Sequence, residues 1–249
     1  RESRREMSEL NLALRDVSFD RPVRLTLSAM ANRSPVSVEG RFGPLGSALG
    51  QGLVPLELSA DAFAHLKLKI KGTLENWPVA PLVRVDVEAA EFSPRGLLAA
   101  IETPAPPTAD LKVLERAALK AHVDADANAV TVSDAVLILD DSKLDLSAKV
   151  TDFARPNVTF DLHLDQIDMD RYLPPPSKAG IAPPPIGQPS GHAPQKTDYT
   201  PLRKLLLDGR ARIDQLTIAN ARAQDVTLKI AAKYGMLSLD PFSMKLYQG

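Results

Sequence analysis

Apolar and polar residues alternate along most of this chain with a period of two, the pattern of a strand that shows one apolar and one polar face. In Val158-Thr-Phe160-Asp-Leu162-His-Leu164-Asp, four apolar side chains point one way while Thr159, Asp161, His163 and Asp165 point the other. A helix would scatter that set around its whole circumference. The same alternation runs through Leu10/Leu12/Leu14, Val23/Leu25/Leu27, Val36/Val38, Leu66/Leu68/Ile70, Val83/Val85/Val87, Leu144/Leu146/Ala148/Val150, Val226/Leu228/Ile230 and Leu237/Leu239. About fifteen strands are predicted on this basis. Short polar corners such as Asp140-Asp141-Ser142 and Lys233-Tyr234-Gly235 join them, which suggests antiparallel meanders. No long helices alternate with the strands, so a doubly wound sheet is disfavoured. The predicted class is mainly β, with two or three short helices.

The helical signals are local. Ser93-Pro94 supplies an N-cap and a first-turn proline, and Leu97, Leu98 and Ile101 follow as one apolar stripe, predicting a helix over 93–102. Pro104, Pro106 and Pro107 end it, and Asp110 can cap a second helix over 110–119 with Leu111, Leu114 and Ala118 on one side. A third turn is expected at Thr200-Pro201. Residues 174–197 carry eight prolines among Gly, Ser and Ala and read as an extended linker or surface loop. It separates a β-rich segment, 1–173, from a continuation of the same sheet, 198–249. A short internal echo relates Val130-Thr-Val-Ser-Asp-Ala135 to Leu216-Thr-Ile-Ala-Asn-Ala221, which would suit a sheet that lengthens by adding strands.

Composition removes whole function classes. Lys and Arg number 30 against 31 Asp and Glu, a formal charge of −1 that gives no bulk attraction to nucleic acid or anionic membrane. Hydrophobic residues at 44% are enough for a sizeable core or apolar channel, which argues against global disorder. Cysteine is absent, so disulfides, thiolate nucleophiles and Cys-ligated zinc are excluded. The longest apolar runs, 97–101 and 135–139, fall far short of the roughly 20 residues of a membrane-spanning helix. The chain opens at Arg1 without a charged-then-apolar leader and stops at Gly249 after a strand-like run, so both ends are expected to be cuts, with any signal or anchor outside them.

Catalytic chemistry leaves little trace. His65, His122, His163 and His192 are dispersed, with no metal-ligand spacing, and His163 lies on the polar face of its strand. Gly50-Gln-Gly52 lacks the third glycine and following helix of a phosphate loop. Asp161, Asp165, Asp168 and Asp170 lack the central glycine and late glutamate of a calcium loop, and read as a polar strand end with helix capping. Arg1, Arg4 and Arg5 are offset by Glu2 and Glu6, so they form no nucleic-acid patch. Asn76-Trp77-Pro78 reads as a turn with an apolar anchor. No catalytic residue, metal or cofactor is predicted. An enzyme would need two or more of Asp161, Asp165, His163 and His122 to converge in one pocket. The half-apolar strands serve equally for a β-sandwich whose apolar faces fill each other and for an open sheet with an accessible apolar face.

Several stretches resemble the AsmA family. Asp152-Phe-Ala-Arg-Pro156 and the run Phe160-Asp-Leu-His-Leu-Asp-Gln-Ile-Asp-Met-Asp-Arg-Tyr-Leu-Pro174, with the proline-rich insertion after it, are similar to the family's middle segment. Pro201-Leu-Arg, Leu207-Asp-Gly209, Asp225-Val-Thr-Leu228, Ala232-Lys-Tyr-Gly-Met-Leu-Ser-Leu-Asp-Pro241 and Lys245-Leu-Tyr247 resemble its carboxy-terminal run. Leu14-Arg-Asp-Val17, Gly40-Arg-Phe-Gly-Pro44, Phe92-Ser-Pro-Arg95 and Leu139-Asp-Asp-Ser142 fit upstream, so the resemblance covers nearly the whole chain. It implies a periplasmic, β-rich body carried by an amino-terminal inner-membrane helix in Gram-negative bacteria, with a role in outer-membrane biogenesis and lipid homeostasis. Larger relatives of the TamB type are thought to conduct phospholipid along a hydrophobic groove. The resemblance therefore selects an elongated, curved antiparallel sheet forming an apolar trough, with phospholipid acyl chains as partner and the inner membrane reached through an anchor outside this chain. Expected on the apolar side are Leu25, Leu27, Leu66, Leu68, Ile70, Val85, Val87, Leu144, Leu146, Phe160, Leu162, Leu164, Val226, Leu228 and Ile230. An alternative use is a noncatalytic, chaperone-like scaffold that contacts outer-membrane assembly proteins or client strands through its exposed edges.

Overall fold

The structure, a computed structural model, describes residues 7–31, 34–46, 52–174, 205–233 and 236–246. Thirteen strands form one curved, open sheet in which spatial order equals chain order. They are β1 (Met7–Arg15), β2 (Val23–Ala31), β3 (Ser34–Phe42), β4 (Leu53–Ala62), β5 (Leu66–Glu75), β6 (Leu82–Phe92), β7 (Ala117–Ala125), β8 (Ala129–Leu139), β9 (Ser142–Thr151), β10 (Asn157–Asp168), β11 (Leu206–Ile218), β12 (Ala221–Lys233) and β13 (Met236–Leu246). Two short helices, α1 (Pro94–Ala100) and α2 (Met169–Tyr172), complete the described elements. The sheet is mainly antiparallel, as the short polar corners require.

One junction differs from the expected meander. β10 and β11 run parallel, from Asn157↔Leu206 to Asp168↔Thr217. A parallel pair needs a connection long enough to return to the starting end of the sheet, and residues 175–204 supply that length. The proline-rich 174–197, His192 and the turn at Thr200-Pro201 fall almost wholly within that stretch, outside the described residues, and Gly50 and Gln51 also lie outside them.

α1 forms where expected. Ser93 is its N-cap and accepts a hydrogen bond from the Gly96 N–H at 3.0 Å, with Pro94 in the first turn. The helix expected over 110–119 does not form. Asp110 does accept the Lys112 N–H at 2.8 Å, but residues 111–114 make only a turn, and Ala117 already belongs to β7. The reason is a competing acceptor: the Asp140 carboxylate takes the N–H groups of Leu114, Glu115 and Arg116 at 2.7, 3.0 and 3.1 Å. Leu114 sits at φ 63°, outside helical space. The second short helix is α2, capped by the Asp168 carboxylate, which accepts the Asp170 N–H at 3.1 Å.

The segment 93–116, α2 and the hairpin ends beside them close one end of the sheet. The Arg95 Nε–H donates to the Val113 carbonyl at 2.7 Å, and Val113 is fully enclosed. Arg171 bridges Asp110 and Asp141, each at 2.9 Å, and the Tyr172 hydroxyl donates to Asp140 at 2.8 Å. Asp170 accepts the N–H groups of Ala219 and Asn220 at 2.6 and 2.8 Å, which fixes the β11–β12 turn to α2. At the other end Asn76-Trp77-Pro78 does form a turn, yet Trp77 is 48% exposed and anchors little. The echo between 130–135 and 216–221 is local: its fifth residue is left-handed in both copies, within β8 at Asp134 (φ 50°) and in the β11–β12 turn at Asn220 (φ 61°).

Candidate functional site

Strand register converts the alternation of single strands into continuous apolar rows across the sheet. One row runs through Leu12, Leu27, Val38, Ala60, Leu68, Ala89, Leu119, Leu137, Leu144, Leu164, Ile213 and Val226, each directly opposite the next. A parallel row four residues away along most strands runs through Val23, Phe42, Leu56, Gly72, Val85, Val123, Val132, Ala148, Phe160, Gly209, Ile230 and Leu239. Between them lie Leu14, Leu25, Gly40, Leu58, Ile70, Val87 and Ala121 on one side of a β8 bulge, and Ala135, Leu146, Leu162, Ala211 and Leu228 on the other. Neither outer row contains a polar residue over twelve strands, so together they form an apolar track roughly 53 Å long at ~4.8 Å per strand.

All fifteen residues expected on the apolar side fall on this face. Leu27, Leu68, Leu144, Leu164 and Val226 lie in the first row; Val85, Phe160 and Ile230 lie in the other outer row. Leu25, Ile70, Val87, Leu146, Leu162 and Leu228 are central, and Leu66 stands two residues before Leu68 on the same side. Of these, only Val85 (8% exposed) and Val226 (1%) are buried; the other thirteen are half-buried. Half-burial has a simple cause, because lateral neighbours cover the flanks of each side chain while, among the described residues, no second layer covers its tip. The two sheets of a sandwich would seal those positions.

Sequence reading missed part of the track, including Leu56, Val123 and Ile213. For Leu137 a signal existed but ran through a change of parity: Val130 and Val132 face the track from even positions, whereas Ala135, Leu137 and Leu139 are odd. The extra residue that resolves the conflict is Asp134, at φ 50°. At Gly209 the ring of Phe160 occupies the space a Cβ would need, so a glycine in this row is covered by its aromatic neighbour rather than left as a gap.

The opposite face is charged and largely self-neutralising. Glu57 binds Lys71 at 2.8 Å and Arg41 at 2.5 Å, which holds its carboxyl below the usual range. The His122 Nδ1 lies 2.8 Å from Asp86, and that hydrogen bond, with Asp124 nearby, raises the imidazole above its ordinary value. His163 Nε2 lies 2.9 Å from Asp214, while its Nδ1 is 3.9 Å from Asp145. Asp161 and His163 do share a shallow depression of about 320 Å³ with Asp134 and Asp145. His122 and Asp165 are elsewhere; the Asp165 carboxylate accepts the Lys143 and Gln166 N–H groups at 2.8 and 2.5 Å. The convergence is therefore a pair whose histidine is already engaged by Asp214. A larger cavity, about 930 Å³, opens beside the β11–β12 turn and is lined by Gln215, Thr217, Asn220, Arg222 and Gln224 among others. None of the fifteen apolar-face residues lines it, although Leu216 and Ala223, which pair with each other beyond Ile213 and Val226, do. No described helix is long and apolar enough to cross a membrane.

Comparison with known proteins finds no match to a family model, to a curated protein or to a solved structure.

Proposed function

We propose that this chain is a periplasmic segment of an inner-membrane-anchored AsmA-like protein that binds or conducts phospholipid acyl chains along the apolar face of its sheet, in support of outer-membrane biogenesis and lipid homeostasis. One observation carries this reading: two outer rows of aliphatic and aromatic side chains, interrupted only by glycine, cross twelve strands each with no covering layer among the described residues. Tails lie on the track and headgroups stay in water at its edge. Burying each CH₂ contributes about 0.8 kcal/mol, so an apolar track holds a tail while successive strands offer nearly equivalent positions between which it slides. The activity is noncatalytic and needs no cofactor; the charged residues of the opposite face serve cross-strand pairing.

Native mass spectrometry with lipid extraction, on the chain purified from a Gram-negative host, tests this. Leu162 and Leu228 flank Ala211 in the central row, so Leu162→Asp with Leu228→Asp places two carboxylates on either side of Ala211 in the track. Phospholipid is expected on the parent and absent from the variant, with circular dichroism unchanged. A well-folded parent free of lipid overturns the reading and favours the scaffold, for which the exposed β1 edge is the supporting observation.

A further inference from the structure

We propose that the strand ends opposite the closing segment 93–116 dock on the surface of a lipid bilayer and insert the corners that carry Phe19, Trp77, Val79 and Phe153. The strand order puts the corners 16–22, 76–81, 126–128 and 152–156 at this end, with residues 43–46 after β3. Val79 is 86% exposed and the three rings at least 48%, and Val17 and Leu53 are exposed at the same end. The corner over 76–81 carries no charge. These side chains do not hang on loose backbone. The Phe19 carbonyl accepts the Gly46 N–H at 2.5 Å, the Asn76 carbonyl accepts the Ala80 N–H at 3.1 Å, and the Asp152 carbonyl accepts the Arg155 N–H at 2.9 Å. Closed corners thus hold apolar groups out in water, and little ordering is left to be done on binding.

The apolar face reaches this end uncovered among the described residues. Beyond the row of Phe160 and Ile230, a further row crosses β4 to β12 from Val54 and Leu74 through Val83 and Val158 to Leu207 and Ala232, apolar at each of its nine positions. Only Val54 in it is buried. At the far end the closing segment is in place, and Val113 and Ala117 are sealed there. The spacing of the corners selects a bilayer over a protein. Those of Phe19, Trp77 and Phe153 stand four strands apart in turn, roughly 19 Å at ~4.8 Å per strand. A protein partner is gripped through a clustered, desolvated hot spot. A bilayer offers the same apolar medium beneath each separated anchor, and its interface favours Trp and Phe. Charge adds no attraction to anionic lipid, because these corners carry Arg21 and Arg155 against Asp16, Asp20, Asp126 and Asp152. Attachment is therefore apolar insertion into zwitterionic lipid, insensitive to salt. That tails pass between this bilayer and the track rests on the lipid reading; the docking itself stands on the corners.

Trp77 is the chain's one tryptophan, so its fluorescence reports this corner alone. With vesicles of phosphatidylcholine and phosphatidylethanolamine, the whole 249-residue chain is expected to float with the lipid, unchanged by added salt, and Trp77 emission to shift to the blue. Lipid brominated near the glycerol end of its tails should quench that emission more than lipid brominated near the terminal methyl. Val79→Asp and Phe153→Ser, both at exposed corners, should each weaken partitioning on the order of tenfold with circular dichroism unchanged. The Leu162→Asp, Leu228→Asp chain should insert like the parent. A parent free of copurified lipid that still inserts sinks the lipid reading and upholds the docking. A lipid-loaded parent whose Trp77 emission ignores vesicles overturns the docking alone. Binding that is lost in salt, or that survives the two corner substitutions combined, would overturn it as well.

Discussion

Asp140 shows what one side chain decides. It is 8% exposed, sits at φ 51° in the β8–β9 corner, and gathers three backbone N–H groups and the Tyr172 hydroxyl on its carboxylate. Burial alone would raise its pKa, but the donors outweigh it and hold the carboxyl below the ordinary 3.8. Its folded value is depressed, so its stabilisation is present above the unfolded value and is lost as pH falls through the folded one. Asp140→Asn is expected to unfold at a lower urea concentration than the parent at pH 7, by about 2–3 kcal/mol. That gap should close as pH drops below about 3.8. An equal gap at pH 7 and pH 2 would show that the charge contributes nothing. In sequence, Asp140-Asp141-Ser142 was legible as a polar corner; its grip on residues 114–116 was not, since the partners lie about 25 positions upstream. That long-range claim is why a plausible helix over 110–119 loses to a turn.

At the scale of the element, the strands were readable because a period of two leaves no ambiguity about which residues share a face. Their irregularities were less so. A bulge inserts one residue and reverses the parity downstream, which looks in sequence like a broken pattern. Asp134 does this in β8, and Asp225, at φ 52°, sits between Ala223 and Val226 in β12, where the apolar parity also changes. Asp134→Gly should leave stability unchanged or raise it by up to about 1 kcal/mol, because glycine takes the left-handed conformation without strain. Deleting Asp134 should cost more than about 4 kcal/mol, since Ala135, Leu137 and Leu139 would turn to the charged face. Urea unfolding of the two variants distinguishes a bulge that serves the register from a tolerated defect, which would make the deletion mild.

At the scale of the molecule, the absence of a second layer among the described residues is the feature with functional weight. An apolar track whose residues remain half-exposed gains stability from any amphiphile that covers it in the folded state alone. A short-chain phosphatidylcholine below its micellar concentration, at about 100 times its dissociation constant, should add ~2.7 kcal/mol. For a chain of this size that corresponds to a rise in Tm of roughly 5–10 °C. The Leu162→Asp, Leu228→Asp variant should show no rise; a rise in both would place the lipid elsewhere.

Sequence by itself determined the secondary structure class and the polarity of the strands whose alternation is unbroken, including the common side of all fifteen apolar-face residues, because facing is a local property of an extended backbone. It also carried the capping of α1 and α2, which involves residues two or three positions apart. Tertiary structure alone decided that spatial order follows chain order, that β10 and β11 run parallel, and that rows align across twelve strands, because register depends on partners far along the chain. It alone also decided between sandwich and open sheet. Both use the same half-apolar strands, and only the solvent left at the tips of residues such as Leu68 and Leu162 tells them apart.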